Sequence, residues 1–153
     1  MVKHIRFKSS LASNRSRICT IRLTIKQLII MTNKELVKKA MTELFINGDV
    51  TALDRYWADN YIQHNPQIPN GRDALKQLFS GGGDFKYEMG LIVADGDFVM
   101  IHARITGIGP KPLIGVDILR VKEGKLVEHW DVLQEEVPAE NTASKNPMFP
   151  ISS

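Results

Sequence analysis

In the tract Gly115-Val116-Asp117-Ile118-Leu119-Arg120-Val121 a lone acid sits among apolar residues. Strand side chains alternate between faces with period two, so Asp117 shares a face with Leu119 and Val121. An acid on an apolar face is costly unless it is paired, hydrogen-bonded or protonated. Asp117 is then either a satisfied structural carboxylate, with Arg104 as a candidate partner, or a proton-transfer group. The same alternation places Met100, His102 and Arg104 on one face of the tract before Gly107. In the last tract it places Val127, His129, Asp131 and Leu133 on one face, and Glu128, Trp130 and Val132 on the other. Two histidines and two aspartates on neighbouring strands suit acid–base chemistry, because both residue types exchange protons near neutral pH once their surroundings tune them. Each also has a plainer reading. His102 suits a hydrogen-bonded core position, and His129 with Asp131 an exposed edge pair. His64, ahead of Asn65-Pro66, suits a brace for a turn, and Trp130 suits packing or interface surface. Three histidines and an aspartate would also suffice for a metal. No pair has the helix-face spacing of HExxH, so a site without metal or cofactor is expected.

The elements that must position these residues follow from periodicity. Leu36, Val37, Ala40, Met41, Leu44 and Phe45 recur at helical spacing, and Thr32 or Asn33 can cap a helix whose first turn holds Glu35. Asn47-Gly48-Asp49 stops that helix and caps a short second one, with Leu53, Tyr56 and Trp57 as its apolar stripe. Residues 61–66 read as a brief extended piece ended by proline. Residues 71–79 read as a third helix and Gly81-Gly82-Gly83 as a break. That glycine run lacks the Lys-Ser/Thr of a phosphate loop. Strands at 85–94 and 97–106 flank Asp95-Gly96, and strands at 113–122 and 125–134 flank Glu123-Gly124, both hairpin signals. Helices followed by antiparallel strands give an α+β fold, with the helices on one face of a sheet that curls around a pocket.

Composition sets the outer limits. The chain has 153 residues, 43% of them hydrophobic and 24% charged, the balance of one ordinary globular domain. The single cysteine, Cys19, excludes an intrachain disulfide framework, and no apolar run is long enough to span a membrane. Seven of the 20 basic residues and none of the 17 acids fall in residues 1–30, so the 13 basic residues of the remainder leave it at −4. An acidic body argues against nucleic acid as a partner. The acid-free, Arg- and Ser-rich opening resembles a transit peptide in composition, yet it lacks a secretory cleavage signal. Met31-Thr32-Asn33-Lys34-Glu35 reads as a natural domain start. Residues 1–30 are therefore expected to be a basic extension that folding does not need, or the product of a mis-assigned start codon. A domain at 31–137, a tail at 138–153 and a cytoplasmic location complete the expectation.

The tract GVDILRVKEGKLVEHWDVLQEEV at 115–137, with YIQHNP at 61–66, resembles the SnoaL-like polyketide cyclase family of the nuclear transport factor 2-like superfamily, which also includes ketosteroid isomerase. The resemblance spans about residues 31–137. It implies a cone-shaped, curved antiparallel sheet wrapped by N-terminal helices around a deep apolar pocket. In the cyclases an aspartate in the strand motif matching Val116-Asp117-Ile118 is the general acid/base, which points to Asp117. At that strand position ketosteroid isomerase holds the protonated aspartate of its oxyanion hole. A pocket histidine on the preceding strand points to His102. The isomerase's base, an aspartate before proline, is replaced by Asn65, and its first-helix tyrosine by Met41, so steroid isomerisation is not implied.

Together these readings lead to a cofactor-independent enzyme that moves a proton next to a carbonyl on a small apolar substrate, by aldol condensation (as in a polyketide or ester cyclase) or isomerisation. Asp117 and His102 are the expected catalytic residues, with His64, His129, Asp131 and Met41 around the substrate. The alternative is a non-catalytic scaffold of the same fold that binds a small molecule or a protein. Trp130, Val132, Val116 and Ile118 on the outer sheet face predict a homodimer.

Overall fold

A computed structural model describes residues 31–81 and 83–151. The expectations for residues 1–30 lie outside the described residues. Helix α1 (Asn33–Met41) opens with a reciprocal cap, in which the Thr32 hydroxyl accepts the Glu35 amide and the Glu35 carboxylate accepts the Thr32 amide at 2.8 Å. Its buried face, Val37, Ala40 and Met41, continues into a wider π-turn (Thr42–Ile46) that buries Leu44. Gly48, at φ +68°, ends this run in the left-handed conformation that glycine tolerates. The Asp49 carboxylate then accepts the Thr51 amide at 3.0 Å and leads into α2 (Ala52–Tyr56).

Trp57 does not extend α2. It begins β1 (Trp57–Gln63), four residues before the extended piece expected from Tyr61. After α3 (Arg72–Ser80) come β2 (Lys86–Asp95), β3 (Phe98–Thr106), β4 (Leu113–Lys122) and β5 (Lys125–Glu135). The first hairpin turns at Gly96-Asp97, one residue later than expected, and the second at Glu123-Gly124, with φ of 52° and 73°. The sheet runs β1-β5-β4-β3-β2 and is curved and unclosed. It is not purely antiparallel, because β1 lies parallel to β5 at one edge. Strand alternation could not reveal that pairing, since the connection from β1 passes through α3 and three further strands before β5 returns beside it.

One face of the sheet carries the core. Ile101, Leu119, Val121 and Leu126 are fully or almost fully buried against Val37 and Leu53 of the helices. Burial at roughly 25 cal/mol per Å² of apolar surface is the main force holding the helical layer on this face. Phe45, Phe79, Phe85 and Tyr87 form an aromatic cluster with ring centroids 4.9 to 5.4 Å apart, tying the π-turn, α3 and β2 together. Between this cluster and the far end of β5 the two layers separate.

Candidate active site

The gap between the layers is a cavity of about 750 Å³. Its walls are mainly apolar and include Met41, Leu44, Phe45 and Ile105. Leu78 and Ile108, each more than half exposed, also line it. The polar groups concentrate where β4 and β5 pair. Asp117 and Asp131 are direct cross-strand partners, and His129 pairs with Leu119 on the same face.

A bulge aims β5 into the cavity. Val121 pairs with Leu126, but Arg120 pairs with Glu128, so Val127 is an extra residue. Plain alternation would group Val127 with His129. The bulge instead groups the fully buried Leu126 with His129, Asp131 and Leu133 on the inner face.

Asp117 is 5% exposed and both of its oxygens are engaged. His129 Nε2 lies 2.9 Å from Oδ1, and the Tyr87 hydroxyl donates to Oδ2. Burial, and then the nearby Asp117 charge, push the Tyr87 phenol well above its usual range, so it stays neutral and able to donate. His129 Nδ1 lies 2.6 Å from Gln63 Oε1. Asp131 Oδ2 accepts the Asn65 side-chain amide at 2.6 Å. The Asn65 oxygen takes the Gln67 amide at 2.8 Å, which leaves its nitrogen as the end that faces Asp131. Among the described residues, the second oxygen of Asp131 has no hydrogen-bond partner. Tyr61 also lines the cavity, and burial is the main cause that raises its phenol. Donor atoms of Asp117, His129 and Asp131 lie within 4.8 Å of one another, close enough to share a cation, although both ring nitrogens of His129 already face other side chains.

The structure thus brings together Asp117, His129, Asp131 and Met41, and separates the other two expected residues from them. His102 pairs with Val116 while Asp117 pairs with Ile101, so His102 points out of the opposite face of the sheet, beside Phe149 at 5.5 Å. The expectation of a pocket role for His102 is corrected by strand parity itself, because Val99, Ile101, Ala103 and Ile105 are the buried set on β3. Arg104, also outward, pairs with Glu136 at 2.7 Å and is not the partner of Asp117. His64 is likewise outside, stacked on Trp130 at 4.6 Å and 2.9 Å from Glu128 Oε1. Its backbone still serves the site, since the His64 amide donates to the His129 carbonyl at 2.9 Å and so fastens β1 to β5. Sequence reasoning missed Tyr61, Gln63, Asn65 and Tyr87 as site residues. Alternation along β2 would have put Tyr87 on the inner face. The other three needed the parallel β1–β5 pairing.

The sequence of residues 38–129 matches the profile of the SnoaL-like domain. Among curated proteins none matches the chain. Among solved structures, the chain is similar to a protein assigned as a ketosteroid isomerase from Kribbella flavida, with 20% identity, a TM-score of 0.59, and 67% of this chain and 78% of that one covered. A protein assigned as a polyketide cyclase from Bacillus cereus gives 23% identity, a TM-score of 0.56 and coverage of 67% and 74%. An NTF2-like protein of unknown function from Cytophaga hutchinsonii gives 16%, 0.60, and 68% and 91%. At such identities the likeness is one of fold, which unrelated activities share.

Proposed function

The chain belongs to the SnoaL-like domain family, and from that membership and the cavity we propose that it is an acid–base enzyme acting on a small apolar carbonyl compound. One observation carries the reading: at the polar end of an apolar cavity, Asp131 is held on one oxygen by Asn65 and has the other unpartnered among the described residues. A carboxylate so held is available to a substrate C–H, whereas Asp117 has both oxygens engaged. Asp131 takes a proton from the carbon beside the carbonyl, and the C–H electron pair becomes the enolate. Tyr61, a neutral phenol on the cavity wall, donates to the enolate oxygen. In a substrate with a C=C conjugated to or beside the carbonyl, the dienolate takes the proton back from Asp131 at its far carbon and the double bond shifts, which is isomerisation; otherwise the enolate carbon attacks a second carbonyl of the same molecule. In the second case the new alkoxide takes the proton back from Asp131 and a ring is closed. Asp117, His129 and Tyr87 form the hydrogen-bonded support beside the base. This reading moves the base from Asp117, as expected from the sequence, to its cross-strand partner.

The test is deuterium incorporation, by NMR in heavy water, next to the carbonyl of a panel of mono- and bicyclic aromatic ketones. The wild type is expected to exchange at least one of them, and Asp131→Asn to slow that exchange by about 100-fold, the usual scale of a general base. Tight ketone binding without exchange would replace the enzyme with a carrier. Unchanged exchange in Asp131→Asn would return the base to Asp117.

A further inference from the structure

The hydrogen bonds around His129 determine where its ring protons sit. Gln63 Oε1 faces two groups, His129 Nδ1 at 2.6 Å and the Asn65 backbone amide at 3.3 Å. A backbone N–H can only donate, so the Gln63 atom facing it is the carbonyl oxygen and not the amide nitrogen. That oxygen can only accept. His129 Nδ1 must therefore carry hydrogen, since the bare-Nδ1 tautomer would set lone pair against lone pair over 2.6 Å. With Nδ1 protonated, the 2.9 Å contact between Nε2 and Asp117 Oδ1 holds one proton, either on nitrogen, as an imidazolium–carboxylate pair, or on oxygen, as a neutral pair. The Tyr87 hydroxyl occupies the other Asp117 oxygen, so that proton is held on the His129 side of the carboxyl.

We propose that Gln63 is a positioning residue: its carbonyl oxygen fixes a proton at His129 Nδ1 and so makes Nε2, beside Asp117, the exchangeable proton site of the cluster. Sheet pairing holds both ends of this contact, because Gln63 and His129 are register partners across β1 and β5. The consequence for the reaction rests on the acid–base reading above, whereas the proton placement does not.

The decisive measurement is nitrogen-15 NMR of histidine-labelled protein without ligand, with the His129 ring assigned by its loss in His129→Asn. The wild type is expected to show Nδ1 protonated. Gln63→Glu, which keeps an acceptor oxygen of similar reach, is expected to retain that pattern. Gln63→Leu, which removes it, is expected to move the Nδ1 signal towards the unprotonated range. A wild-type ring with bare Nδ1 would overturn the proposal, and so would an Nδ1–H signal unchanged in a folded Gln63→Leu protein. In the ketone exchange assay, Gln63→Leu is expected to lower kcat by about 100-fold with little change in KM, as misplacement of a catalytic group does, and Gln63→Glu to restore it. Ring signals as expected with no effect of Gln63→Leu on exchange would leave the proton placement standing and overturn its role in the reaction, whereas no exchange by the wild type would overturn the reading of the reaction itself.

Discussion

Two aspartates one strand apart are held in different ways by their hydrogen bonds. Asp117 is enclosed by a phenol and an imidazole, while Asp131 is held from one side by an amide. A buried carboxylate depends on its donors, and removing one leaves an oxygen unsatisfied at a cost of about 1–3 kcal/mol. Tyr87→Phe keeps the ring in the aromatic cluster and deletes only the donor. It is expected to destabilise the protein within that range, read as a lower midpoint of urea unfolding with an unchanged slope. Tyr61 and Tyr87 also set an alkaline limit. Their folded pKa values lie above the ordinary 10.0, so above about pH 10 the unfolded chain loses protons that the folded one retains, and stability falls as pH rises further.

At the scale of elements, the link between the π-turn and α2 is held by one arginine. Arg55 reaches Glu43 at 2.7 Å and Asp49 at 2.5 Å. Glu43 is lowered first by its hydrogen bond to Arg55, and Asp49 by Thr51 and then Arg55. Depressed carboxylates stabilise the fold above their ordinary pKa values, and that contribution is lost as pH falls through the lowered folded values. Unfolding midpoints of wild type and Arg55→Ala are therefore expected to differ most near about pH 6 and to converge towards about pH 3. The hairpin strands were legible in the sequence because their alternation is local, and the burial of Asp117, Leu119 and Val121 follows it residue by residue. Alternation fails where a ladder gains a residue, as at Val127, and where pairing is remote. It also rules out His102 as a neighbour of Asp117, since two antiparallel partners share a face and His102 is paired with Val116. The resemblance to the cyclases pointed to a histidine on that strand, while the one that reaches Asp117 lies on β5.

For the described domain as a whole, the outer sheet face is the surface with most left to bury. Val132 is 72% exposed, and Phe98, Met100 and Val116 are each more than a third exposed. Charged groups around them are already paired within the chain, Arg104 with Glu136 and Arg120 with Glu128. A matching surface should therefore be neutral and apolar, and a second copy of the same face meets that need in a two-fold arrangement. Light scattering is expected to show a dimer, and Trp130→Glu a monomer. A monomeric wild type at micromolar concentration would remove the expectation.

The parallel edge has a consequence in time. Gln63 and Asn65 meet His129 and Asp131 across 66 residues of intervening chain. A ribosome adds roughly 5–20 residues per second, so a nascent chain exposes the early half of the site for several seconds before the strand that completes it is made. The helices and the β2–β3 hairpin can form in that interval from nearer contacts, but the proton network cannot. Loop closure over such a span comes late and slowly. The β1–β5 edge that carries the site is therefore expected to be the last part of the sheet to form.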